Sequence, residues 1–251
     1  MVRITQYLRT LGMAERTARA NRHLGRNLAF VAGAANAGGF LAVHEYTSHM
    51  TGVVSAMADH LALGFFALAA SGVLALLAFV LGAVVSAFLV NWGRARHLQS
   101  EYALPLLLEA LVLLLFGLMG ARLQLQIDVY VPLTVWLLCF MMGLQNAIIT
   151  KISRAEIRTT HVTGLVTDIG IGLGRLLHAW LEPAAHPVEE RRAARERLAL
   201  HSSLVLLFFV GGIIGALGFK HIGFLAAVPL ACILMLLSVL PVLDDLRARW
   251  R

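Results

Sequence analysis

Charge is what this chain has least of. Only 14% of its 251 residues are Asp, Glu, Lys or Arg, against about 25% in an ordinary soluble domain, while 59% are apolar. A water-soluble fold is excluded on that ground. Cysteine is nearly absent: Cys139 and Cys232 each lie inside an apolar run, which leaves neither a disulfide framework nor zinc-ligand spacing. No Gly-x-Ser-x-Gly, phosphate-binding loop or dinucleotide fingerprint occurs. The chain is therefore not expected to be an enzyme or to hold a cofactor. His44, Glu45, His49, Asp59 and His60 are near neighbours, but none of them has the helical His-x-x-x-His spacing of a zinc protease. An intramembrane metal enzyme is a distant third reading.

What the chain does have is long apolar runs. About 20 apolar residues cross a hydrocarbon core as a helix, and lipid leaves the backbone few alternatives. The expected fold is all-α, a polytopic helical membrane protein. The net charge of +7 does not imply nucleic acid, because Lys and Arg fall between the apolar runs, where they orient the chain in the bilayer. Residues 1–27, with six arginines against Glu15, read as a cytoplasmic amphipathic basic segment. Spans follow at about 28–43, 103–120, 131–149, 202–219 and 222–243, and the apolar stretch 51–92 has room for one long or two short passages. A charged linker, 182–200, reads as a solvated helix starting near Pro187, and residues 244–251 form a basic cytoplasmic tail.

One polar element occurs twice. Thr47-Ser48-His49-Met50-Thr51-Gly52 returns 112 residues later as Thr159-Thr160-His161-Val162-Thr163-Gly164. Asn36-Ala37 matches Asn146-Ala147 at an offset of 110. Phe79 to Ala87 matches Phe208 to Ala216 at 129, and Leu104-Pro105-Leu106 matches Val228-Pro229-Leu230 at 124. These matches keep their order, so the chain reads as two homologous halves, 28–122 and 131–243. If each Thr-Gly segment is a re-entrant or half-spanning helix, there are six full spans and 18 Lys and Arg lie inside against two outside, Arg122 and Lys220. Eight spans leave 14 against six. The positive-inside rule favours six, with inverted halves and both termini cytoplasmic.

The Asn in a glycine-rich first helix, the His-Met-Thr-Gly turn at 49–52, the Gly-Leu-Gln-Asn-Ala helix end at 143–147 and the Arg-Thr-Thr-x-x-Thr-Gly turn at 158–164 resemble the YoaK-like family of bacterial inner-membrane proteins. That family is a domain of unknown function. The likeness runs over about 28–240 and implies the fold and the inner-membrane location without an activity. Two residues depart from its usual pattern: Val53 stands where members have Asn, and Asn36 where they have Asp.

The motifs suggest a site. A helix start offers unbonded N–H groups and the positive end of its dipole, and glycine lets a ligand near the backbone. Inverted-repeat transporters bring two such broken helices to mid-membrane. Asn36, His49, Thr51, Gly52, Gln145, Asn146, His161, Thr163 and Gly164 are the candidate substrate-binding residues, with Asp59, Glu109 and Asp168 as candidates for proton coupling. The expectation is a permease-like transporter of a small solute by alternating access, with a non-transporting scaffold or sensor as the alternative. Expected partners are the bilayer, a small solute and, in an oligomer, further copies of the chain.

Overall fold

The computed structural model describes residues 16–43, 47–123, 127–153 and 157–249, and within these not the side chains of 41–43, 119, 121–123, 127–132 and 249. The described residues are helical almost throughout: α1 Ala18–Val43, α2 Met50–Ala62, α3 Phe66–Ala95, α4 Ala103–Leu123, α5 Ile127–Ser153, α6 Val162–Leu181, α7 Val188–Ile222 and α8 Ala227–Arg249. Two 3-10 turns, Pro183–Ala185 and Gly223–Ala226, precede α7 and α8. Phe66–Ala95, Leu133–Ser153 and Val188–Ala248 are long and apolar enough to cross a membrane, and Ala103–Leu118 is a shorter apolar helix. Their outward faces carry large exposed side chains, among them Leu77, Leu81 and Phe88 of α3 and Leu206, Phe209 and Ile213 of α7. A surface this apolar suits lipid and not water. The chain is a polytopic helical membrane protein.

Two boundaries differ from the sequence reading. The described part of the basic N-terminal segment is not a separate surface helix, since residues 18–27 are the first turns of α1. Its Leu24 is fully buried and its Arg22 reaches Glu196 of α7 at 3.6 Å. Residues 1–15 lie outside the described residues. The charged linker is likewise the first third of α7, which starts after Pro187 with Glu189 and Glu190 in its first turn, where carboxylates favour the helix dipole. The stretch 51–92 forms one short and one long helix. Gly64, at φ +79°, makes the turn between them, and the Phe65 N–H closes it on the His60 carbonyl.

Helix directions follow from the contacts. Along α1 and α7, Arg26 donates to Ser203, Gly33 meets Phe208 and Gly38 meets Phe219, so the two run parallel. Along α3 and α5, Gly82 meets Phe140 and Lys151 reaches Asn91, so these are parallel too. Between α1 and α5 the order reverses, with Asn21 against Ile152, Leu28 against Gln145 and Gly39 against Leu138. The pair α4 and α8 is also antiparallel: Asp245 accepts from Ser100 at one end, and Gly117 meets Ala227 at the other. Three long helices, α1, α4 and α7, thus run one way, and α3, α5 and α8 run the other.

Both parallel crossings use the same device. Phe30-x-x-Gly33 of α1 faces Phe208-x-x-Gly211 of α7, and Phe140-x-x-Gly143 of α5 faces Phe79-x-x-Gly82 of α3. A Cβ on any of these four glycines would overlap the carbonyl oxygen of the facing phenylalanine. Small residues let helix backbones touch where no hydrophobic force drives helices together in lipid. The buried core continues through Leu28, Leu106, Leu113, Phe116, Met141 and Ile148.

At the end where α1 starts, polar groups tie the loops. Arg94 pairs with Glu101 at 3.2 Å and donates to the Tyr102 hydroxyl at 3.0 Å. Arg16 lies 4.4 Å over the Tyr102 ring, and burial lowers its guanidinium to a pKa of about 10.

Candidate functional site

The two short polar elements set the site because each follows a long helix and restarts the chain beside that helix, with His49, Thr51, His161 and Thr163 exposed. After α1, Ser48 returns to the level of Asn36, well below the end of that helix: its N–H and Oγ both donate to Asn36 Oδ1, at 3.2 and 2.8 Å. After α5 the same happens with Thr160, whose Oγ1 donates to Asn146 Oδ1 at 2.6 Å. Each bond pins the start of a helix about two turns before the end of a longer one. The 13-residue α2 is about 20 Å long, short of the roughly 30 Å of a hydrocarbon core, and packs back along the first half of α3, with Met57 against Gly72. α6 leaves in the other direction and packs along the first part of α7, with Gly172 against Leu198.

Where the two helix starts meet there is an open cleft of about 550 Å³. Its lining comes in matched pairs: Ser48 with Thr160, His49 with His161, Met50 with Val162, Thr51 with Thr163 and Phe79 with Phe208, together with Asn36. No acidic residue lines it. The first bonded helical N–H is that of Val53 in α2, to the His49 carbonyl, and that of Leu165 in α6, to the His161 carbonyl. Neither cap histidine bonds the first turn through its side chain. The N–H groups of Thr51, Gly52, Thr163 and Gly164 precede those first bonds, at the positive ends of two helix dipoles.

Five of the nine expected site residues, Asn36, His49, Thr51, His161 and Thr163, line this cleft. Asn146 stands behind it, bonded to Thr160 and donating its Nδ2 to the Met142 carbonyl at 2.8 Å. Gln145 is fully buried and donates to the Leu28 carbonyl at 3.3 Å, where it joins α5 to α1 and does not line the cleft. The two glycines have a use other than admitting a ligand to the backbone. A Cβ on Gly52 would lie 2.7 Å from His49 Nδ1, and one on Gly164 would lie 3.1 Å from Arg158 Nη1. The bare first turns make room for the chain's own imidazole and guanidinium.

The carboxylates lie apart from this cleft. Asp59 is exposed near the end of α2. Asp168 borders a second cleft of about 400 Å³ between α6 and α7, with Arg158, Arg175, Arg197 and His201. Glu109 is sealed inside, fully buried, with no partner on either carboxylate oxygen. Among the described residues no group of three His, Cys, Asp or Glu side chains is placed to hold a metal ion. His44 and Glu45 lie outside the described residues.

Sequence reasoning missed Ser48 and Thr160 as partners of the two asparagines, and Phe79 and Phe208 as walls. Spacing carries no signal for these pairs, since 12 residues separate Asn36 from Ser48 and 14 separate Asn146 from Thr160.

No curated protein and no solved structure matches the chain. One family model does, over residues 24–240, and that range takes in both helix starts and the whole cleft. The chain belongs to this family, described as a protein of unknown function, DUF1275, the group of the YoaK-like proteins.

Proposed function

We propose that this protein is a permease-like transporter that moves a small solute by alternating access around the cleft between Thr51 and Thr163. The observation that carries the reading is the meeting of two helix starts, those of the 13-residue α2 and the 20-residue α6. The two helices leave in opposite directions from beside Asn36 and Asn146 and face one cleft with paired residues. Alternating access needs two equivalent conformations of one site, and inverted halves supply them by exchanging roles.

In this reading the chain comprises two homologous, inverted halves with six crossings and two re-entrant or half-spanning helices, α2 and α6. The match of α1 on α7 with α5 on α3 supports it, as do the antiparallel pairs α1 with α5 and α4 with α8. The chain sits in the bacterial inner membrane with both termini in the cytoplasm, a placement supported by the two outside cations of the six-span count, Arg122 and Lys220. It performs no catalysis. Any proton coupling falls to Glu109 before Asp59 and Asp168, since a sealed, unpartnered carboxyl is one whose surroundings a change of conformation would alter.

Reconstituted vesicles test the reading. Thr51→Val and Thr163→Val are expected to reduce solute uptake to the level of empty liposomes while helicity and elution volume stay unchanged. Glu109→Gln is expected to remove any response to an imposed proton gradient. Wild-type vesicles that match empty liposomes across a broad solute panel would instead favour a scaffold or sensor. The charged, exposed first turns of α7 would be its docking face.

A further inference from the structure

We infer that the basic clefts between α6 and the first third of α7 bind the phosphate headgroup of an anionic phospholipid, at a site separate from the cleft between Thr51 and Thr163 and independent of the transport reading. Two clefts lie along this helix pair, of about 400 and 340 Å³, and they adjoin, since Arg175, Ala194 and Arg197 line both. Arg158 joins them in the first and Arg191 in the second, so that four guanidinium groups stand against the carboxylates of Asp168 and Glu190. Glu190 already has a partner in His186, at 3.7 Å. Among the described residues none of the four arginines makes an ion pair, whereas Arg22, Arg94 and Arg192 each meet a carboxylate. Glu196, next to Arg197 in sequence, is taken by Arg22 and Arg192. The two helices pack closely here, with Gly172 against Leu198. Unpaired charge of one sign along such a contact draws ions of the other.

Depth decides what that counter-ion is. α7 is unbroken from Val188 to Ile222, and its outward side chains turn large and apolar at Leu206, Phe209 and Ile213. Residues 194–201 of α7, which border the first cleft, stand about 8–18 Å above Leu206 along the axis. That is the level of the headgroups at the edge of a hydrocarbon core. Ile171 lines the same cleft and is half exposed, an apolar wall that a dissolved anion does not use and an acyl chain does. The planar fork of arginine suits phosphate oxygens, and basic pockets between helices on the cytoplasmic side take anionic headgroups. In the six-crossing reading that is the side where α7 begins. The site also has no counterpart in the first half of the chain. The position matching Arg175 at the offset of 112 is Leu63, just past the end of α2. A one-sided site fits one leaflet, not a pathway shared by both halves.

The test uses the full chain in nanodiscs of phosphatidylcholine with increasing phosphatidylglycerol. Expected is a thermal midpoint that rises with phosphatidylglycerol and saturates, together with phosphatidylglycerol adducts retained in native mass spectrometry. Arg175→Gln combined with Arg197→Gln is expected to weaken the apparent affinity for that lipid by about ten-fold or more, as the loss of two charge-assisted contacts requires. Arg175→Lys combined with Arg197→Lys keeps the charge without the fork, is expected to lose part of the affinity, and carries the test if the first pair does not fold. Arg192→Gln combined with Arg195→Gln removes as much charge from α7 but lines neither cleft, and is expected to respond as wild type. An equal loss in this control pair assigns the effect to general surface charge and overturns the site. A midpoint raised equally by dissolved phosphate or glycerol phosphate in pure phosphatidylcholine assigns the clefts to a free anion and overturns the lipid. A wild-type midpoint indifferent to phosphatidylglycerol overturns the proposal outright. None of these outcomes depends on whether any solute is taken up.

Discussion

Asn36 and Asn146 each hold a helix start in place through one carboxamide oxygen, and the hydroxyls that bond it belong to Ser48 and Thr160. A polar group within a bundle keeps its partner because lipid offers no other. Measured strengths of such bonds between membrane helices are nevertheless modest, averaging about 0.6 kcal/mol and reaching about 1.7. Ser48→Ala and Thr160→Val are therefore each expected to lower stability by an amount in that range, read as a small fall in thermal midpoint, and to lower uptake by much more. The gap between the two effects is the informative quantity, because a bond that only held the fold together would move both alike. The asparagines and the repeated His-x-Thr-Gly were legible in the sequence, being polar residues in an apolar chain. The hydroxyl partners were not, since pairing depends on how far the chain folds back after α1 and α5, and no local pattern records that distance. Gln145 shows the same limit from the other side. Its polarity marked it for the site, whereas its Nε2 faces the Leu28 carbonyl between two helices.

At the scale of elements, what orders the bundle is the pair of Phe-x-x-Gly crossings. Glycine at 33, 82, 143 and 211 puts backbone against backbone, and the obstacle to a larger residue is a carbonyl oxygen rather than a side chain that can swing away. Gly143→Leu and Gly33→Leu are each expected to destabilise by about 1–3 kcal/mol or more, seen as early aggregation in a detergent melt. Gly170→Ala, on a face of α6 where a Cβ meets nothing within 4 Å, is the matched control expected to behave as wild type. The sequence disclosed half of this pattern. The likeness of 79–87 to 208–216 was visible because nine positions run together, but Phe30-x-x-Gly33 and Phe140-x-x-Gly143 are two residues each in apolar surroundings, and only the facing carbonyls give them meaning. Helix ends were blurred for a related reason. Where a charged segment continues a helix without a break, as at 18–27 and 188–200, composition changes while the backbone does not.

At the scale of the whole molecule, the direction of each long helix turns the fold into a statement about sides. The starts of α1, α4 and α7 and the ends of α3, α5 and α8 gather at one end, where Arg22 meets Glu196, Arg94 meets Glu101, and Asp245 holds the N–H groups of Gln99 and Ser100. Leu63, between α2 and α3, and Lys220, near the end of α7, belong to the other end, and both are exposed. With the native Cys139 and Cys232 replaced by Ala, single cysteines at Arg96, Leu63 and Lys220 make the geometry measurable with a membrane-impermeant thiol reagent on intact cells. Arg96→Cys is expected to stay unlabelled until the membrane is opened, while Leu63→Cys and Lys220→Cys react from outside. Eight crossings, with α2 and α6 each passing fully through, would change the side of Arg96 relative to the N-terminus. Labelling of all three from one side is incompatible with a half-length α2 that begins at Asn36 and ends where α3 begins. The length of α2 favours the first outcome, because 13 residues reach about 20 Å and a hydrocarbon core is about 30 Å thick.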